Sequence, residues 1–210
     1  MGAEWVLYVL MFLSLISVAL IFQKAFFFRA ANRDLAVFRN KIRKHVDQGE
    51  WDQAHKLALN RMAENKDTAP DFESALIQDL LAAKTSKTNG SSLNPDLLAE
   101  LAQDSIIRTK IEWEKNLAVL ATIGNNAPFI GLFGTVIGII QAFHHLSEQA
   151  TSGIQTVMTG VSEALVATAI GILVAVPAVA AFNLFQRKVR SALNEAEALK
   201  SFLIAKIGDT

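Results

Sequence analysis

The feature that most constrains this chain is where it places its charge. Trp5 to Phe22, Leu117 to Phe143 and Gly153 to Phe185 are long apolar segments, and Glu163 is the only acidic or basic side chain in all three. A helix rises 1.5 Å per residue, so about 20 residues cross a 30 Å hydrocarbon layer. The first segment has 18 uncharged residues and continues through Gln23 and Lys24 to an Ala-Phe-Phe-Phe run before Arg29. Each segment can therefore span a bilayer. The expected fold class is an all-α integral membrane protein with three transmembrane helices. A secretory signal peptide wants positive charge ahead of its apolar core, and here only Glu4 precedes it.

The 20 basic and 20 acidic side chains cancel, so net charge selects no nucleic acid. Their distribution sets an orientation instead. No Lys or Arg precedes Trp5, fourteen lie between Arg29 and Lys115, none lies in 144–152 and five follow Phe185. By the positive-inside rule the long loop and the C-terminal tail are cytoplasmic, and the N-terminus and the 144–152 loop face the other side. There is no cysteine, hence no disulfide framework and no thiolate metal site.

Outside the spans the apolar residues recur at helical spacing. Leu35, Phe38, Ile42 and Val46 form one stripe, Asp47 to Gly49 a break, and Trp51, Ala54, Leu57 and Ala58 the next stripe. Phe72, Leu76 and Leu80 lie on one face of a further short helix. Thr85 to Asn94 reads as a linker rich in Ser, Thr, Asn and Gly. Asn94 is then a good N-cap, with Pro95 at the first helical position and Asp96 near the positive end of the dipole. With no helix breaker before Gly124, a single helix of some fifty residues, roughly 75 Å, is expected from there through the second span. Val189, Leu193, Ala196 and Leu203 make the C-terminal tail helical as well.

The expected organisation is then an outer segment with the first span over 1–28, a cytoplasmic helical domain over 29–93, and a long helix over 94–146 containing the second span. A short outer loop over 147–152, the third span over 153–186 and a cytoplasmic helix over 187–210 complete it.

Chemistry concentrates in the second and third spans. A charge at the centre of a membrane helix costs about 3 kcal/mol on insertion scales, and Glu163 lies ten residues after Gly153, about 15 Å along a helix and so near the midplane. Its face of the helix is small and polar: Thr156, Thr159 and Gly160 on one side, Ala167, Gly171, Ala175 and Ala178 on the other, with Thr168 flanking. The second span repeats the pattern with Gly124, Ala127, Gly131, Gly134, Thr135, Gly138 and Ala142. Small residues permit the close approach that membrane helices need, since lipid supplies no hydrophobic drive between them. Pro128 and Pro177 are expected to kink the two helices. Two roles stay open for Glu163, a proton-exchanging group on an ion pathway and a hydrogen-bonded strut that joins helices through Thr135 or Thr168.

No phosphate-cradling glycine loop and no hydrolytic triad compete, so an enzyme is not expected, and no cofactor is called for. His144 and His145 with Glu148 are a weak candidate for metal, because adjacent helical side chains diverge.

The stretches Ile123–Phe143 (IGNNAPFIGLFGTVIGIIQAF) and Gly160–Asn183 (GVSEALVATAIGILVAVPAVAAFN) closely resemble the paired membrane motifs of the ExbB/TolQ family, which is related more distantly to MotA. That resemblance implies a homo-oligomeric, pentameric helical bundle in the bacterial inner membrane, enclosing the transmembrane helices of a smaller, single-span ExbD/TolR-like partner that carries an essential Asp. It implies use of the proton motive force, with Glu163, Thr135 and Thr168 lining the pathway and Gly131, Gly134, Gly138, Gly160, Ala167 and Gly171 forming helix-packing and partner surfaces. A TonB-like or TolA-like protein, or a gliding apparatus, would be the third component. The alternative, from a different class, is a non-conducting scaffold that only assembles partner helices in the lipid.

Overall fold

A computed structural model describes residues 4–31, 33–64, 71–86, 95–148 and 153–208. Seven helices follow in chain order: α1 (Glu4–Ala31), α2 (Leu35–Asp47), α3 (Trp51–Glu64), α4 (Phe72–Ser86), α5 (Pro95–Glu114), α6 (Leu117–Glu148) and α7 (Gly153–Gly208). Among the described residues there is no strand, so the all-α expectation holds. Three of the helices, α1, α6 and α7, are long and apolar enough to cross a membrane. The proposed N-cap Asn94, residues 87–94 of the linker, residues 149–152 of the outer loop and the side chain of Thr156 lie outside the described residues.

Two boundaries differ from the sequence expectation. The single helix anticipated over 94–146 is two, α5 and α6, separated at Lys115–Asn116, where Asn116 has φ 65°. Asn tolerates this left-handed conformation better than most residues because its short amide bonds locally, and no propensity signal marks the place. Conversely, the third span and the C-terminal helix form one helix of 56 residues. Pro128 and Pro177 lie inside α6 and α7, each withholding one backbone N–H, and both helices continue past them.

The chain divides into two compact units, one of Met1–Lys24 with Asn116–Phe185 and one of Ala25–Lys115 with Gln186–Thr210. The core of the first unit is Val6, Leu10, Ile123, Ala127, Val174, Ala175 and Ala178. Every small residue anticipated on the inner face of α6, from Gly124 to Ala142, is buried. The outward side chains of the same helices are large and exposed, among them Phe129, Leu132, Phe133 and Ile140 on α6 and Leu165, Leu173 and Val176 on α7. In water that pattern would be a liability; toward lipid tails it costs nothing.

The second unit is built as a water-soluble domain is. The α2 stripe Leu35, Phe38, Ile42 and Val46 is buried as its spacing predicts. Gly49 closes the α2–α3 turn at φ 75° and donates its N–H to the Val46 carbonyl, a helix ending that suits a residue without Cβ. α4 packs on α3 and α5, burying Phe72, Leu76, Ile77, Leu80 and Leu81. Trp113 lies fully buried between the rings of Phe27, Phe28 and Phe72, with centroids 4.8 to 5.6 Å away. The Phe run after the first span thus belongs to this core. From the C-terminal tail, Val189, Ala196, Leu199 and Leu203 are buried, and Lys206 pairs with Asp47 at 2.9 Å.

Candidate functional site: an acidic groove beside a glycine seam

The site rests on how closely α6 and α7 approach. A methyl placed on Gly131 would stand 2.7 Å from the backbone oxygen of Ala167, and one on Gly171 would stand 2.7 Å from that of Ala127. Neither space can hold a side chain, so the two backbones themselves are in contact. Gly134 is similarly enclosed, with Ala167 on one side and Val6 of α1 on the other, each 2.9 Å from an added Cβ. Gly160 lies against Ala142. Gly131, Gly134, Ala167 and Gly171 thus meet along one seam, and buried Gly138 lines an adjoining groove together with Gly160 and Ala167.

Within this seam sit the two threonines. Thr135 Oγ1 is buried, 3.2 Å from the carbonyl oxygens of both Gly131 and Ala164, and in hydrogen-bond contact with Thr168 Oγ1. A hydroxyl has one proton. If Thr135 donates it to a carbonyl, the Thr168 hydroxyl donates in turn to Thr135, giving a short chain of polarised O–H groups from one helix to the other.

Glu163 stands apart from that chain. It lines a groove of about 690 Å³ together with Glu4 and Leu7 of α1, Gly138, Gln141, Ala142 and His145 of α6, and Gln155, Thr159, Gly160, Ala164 and Ala167 of α7. Thr135 and Thr168 are absent from this lining, so the acid and the hydroxyl pair, expected to flank one cavity, occupy two adjacent places. They are linked through Ala164, whose carbonyl faces Thr135 and which also lines the groove. Among the described residues no group of three or more metal-ligand side chains forms, the His144, His145 and Glu148 trio included.

Sequence reasoning missed four of the polar groove residues, Glu4, Gln141, His145 and Gln155. Gln141 and Gln155 carried a signal, as amides inside apolar segments; Glu4 carried none, because the sequence does not say how far α1 is offset along α6 and α7.

The geometry defines a class of protein: a helical membrane protein whose spans pack through glycines around a small polar site with one acid on the third span. The match to known families is specific. The model of the MotA/TolQ/ExbB proton channel family matches residues 72–198, a range that includes the glycine seam, both threonines and Glu163. The chain is 32% identical over 182 residues to the Tol-Pal system protein TolQ of Pseudomonas aeruginosa, covering 83% of this chain and 74% of that protein. It is 41% identical over 88 residues to the biopolymer transport protein ExbB of Aquifex aeolicus, covering 42% of this chain and 60% of that protein. With ExbB of Pseudomonas putida it shares 42% identity over 91 residues, 42% of this chain and 28% of the relative. This chain belongs to the MotA/TolQ/ExbB proton channel family.

Proposed function

We propose that the chain is the proton-conducting subunit of a TonB- or Tol-type energy-transducing complex in the bacterial inner membrane, and that it is not an enzyme. The observation that carries the reading is Glu163, the one acid of the third span, lining a groove beside the Thr135–Thr168 hydroxyl chain on a seam that only glycines can form. In this reading copies of the chain, five in the assembly, surround the helix of an ExbD/TolR-like partner whose Asp supplies the other side of the proton site. The N-terminus and the α6–α7 connection face the periplasm. One proton moving through 100 mV releases about 2.3 kcal/mol, enough for a small conformational step repeated many times. The work done is outer-membrane uptake through a TonB-like protein, envelope maintenance through a TolA-like protein, or gliding.

The second reading, a non-conducting scaffold, is favoured by the same hydroxyl chain, since Thr135 has all its partners within the α6–α7 pair. Glu163→Gln separates the two because it preserves shape and removes the titratable group. Proton flux into vesicles carrying the complex with its partner is expected to fall by a factor of about 100 or more, as for loss of a proton-transferring side chain. Unchanged flux and unchanged growth under conditions that demand the motor would leave only the scaffold.

A further inference from the structure

The first unit possesses three acidic side chains, Glu4, Glu148 and Glu163. Two of them, from different helices, line one groove. Their depths follow from the packing. Val6 and Ala167 both touch the position of Gly134 and so lie at one level. Glu4 is two residues before Val6 and Glu163 four before Ala167, displacements of about 3 and 6 Å along their helices. The carboxylates thus stand within about 3 Å of each other in depth when α1 and α7 run the same way, as two spans separated by a third must. Glu163 is therefore level with the start of α1, nearer the outer end of the first span than the midplane expected from its distance to Gly153.

Above them the lining stays polar. Thr159 is one turn from Glu163, and Gln155 another turn beyond; Gln141 and His145 are one turn apart on α6. On α7 the groove extends from Gln155 to Ala167, twelve residues or about 18 Å. Its polar part, Gln155 to Glu163, covers eight residues or about 12 Å, and a polar strip in an apolar bundle has two physical outlets for its hydrogen-bonding groups, water or another polar chain. The titratable groups that face it are Glu4 from α1, His145 from α6 and Glu163 from α7, with His144 and Glu148 near the α6 end.

We propose that this groove is the aqueous inlet by which protons reach Glu163 from the side of the α6–α7 connection, and that Glu4 is a second proton-exchanging carboxylate of this chain, set beside Glu163 at its inner end. The inference rests on the proton-conducting reading of Glu163. A proton enters from bulk water past His145 and Gln155, passes along water held by Gln141 and Thr159, and is taken by the Glu4 carboxylate. Glu4 releases it through groove water to the Glu163 carboxylate and returns to its ionised state for the next. Glu4 lies outside residues 72–198, the range matched by the family model.

The test uses the full chain with its partner in sealed vesicles. Because the chain has no cysteine, Thr159→Cys and Met158→Cys can be treated separately with a charged, membrane-impermeant methanethiosulfonate added on the side of the α6–α7 connection. Met158 is exposed on the apolar surface. Thiolates form only in water, so Thr159→Cys is expected to react about 100 times faster than Met158→Cys. Glu4→Gln is expected to lower proton flux about tenfold, and Glu4→Asp to restore most of it, which a purely structural residue would not do. Equal labelling of the two cysteines, reaction of Thr159→Cys only from the opposite side, or full flux in Glu4→Gln overturns the proposal. Failure of the underlying reading has a different signature: Glu163→Gln then conducts normally, whatever the labelling.

Discussion

The two units of this molecule solve opposite problems. The first keeps its large apolar residues outside and its glycines, alanines and threonines inside; the second buries Trp113, Phe28 and Phe72 and leaves charge on its surface. The inversion follows from the solvent. Where water surrounds the protein, burying an aromatic ring is itself the driving force. Where lipid does, a ring gains little by moving inward, and stability comes from how closely two backbones can approach. The polar groups follow suit. In the second unit Arg39 bridges Glu73 and Glu195, and Arg61 holds Asp71 at 2.5 Å while donating to the carbonyls of Ala31 and Arg33. In the first, Thr122 and Asn126 bond back to carbonyls of their own helix, and the Thr135–Thr168 pair joins α6 to α7.

The comparison breaks first at Trp113. Trp113→Ala removes the centre of a ring cluster in the second unit and is expected to cost about 3–5 kcal/mol, enough to expose its helices to protease at temperatures the native chain survives. Phe133→Ala, an equally aromatic change at a half-exposed site in the first unit, is expected to leave thermal stability in detergent nearly unaltered. Comparable losses from both would mean that the first unit relies on its outward rings after all.

Next comes the seam. Gly131→Ala adds a methyl where the Ala167 backbone oxygen already stands 2.7 Å away, with Thr168 Cα at 3.1 Å. The helices must separate, at about 1–3 kcal/mol by the usual cost of overpacking. The Thr135–Thr168 contact separates with them, so proton flux and melting temperature should fall together. In the second unit a single added methyl at an ordinary helical surface position should change neither.

Much of this inversion can be read from the residues alone. Charge-free length marks the spans, three- and four-residue steps of Gly and Ala mark the seam, and the stripes Leu35–Val46 and Val189–Leu203 mark which faces are buried. All of these are periodic signals, and periodicity survives whatever the helices pack against. What escapes is set by single contacts between segments distant in sequence. The break at Asn116 depends on one left-handed residue. The depth of Glu4 depends on Val6 meeting Gly134, and the separation of Glu163 from the threonines on which side of Ala164 each one faces. No spacing rule contains that information.

The smallest effect concerns one of the acids that the second unit buries. Glu73 is fully buried; one oxygen takes the Arg39 guanidinium at 2.5 Å and the other has no hydrogen-bond partner. Burial raises its pKa above the ordinary value of 4.5 and the charge of nearby Asp71 adds to this, while the Arg39 hydrogen bond and charge pull the other way without prevailing. The folded chain therefore holds this proton more tightly than the unfolded chain, so the contribution to stability is fullest below about pH 4.5 and is lost as the pH rises through the raised value. Glu73→Gln carries no such titration. Melting curves of the two proteins, taken from pH 7.5 down to 5, should show the native chain gaining on Glu73→Gln as the pH falls. A constant difference would mean that Arg39 fully offsets the burial, and a difference that shrinks would mean that the Arg39 pair outweighs it.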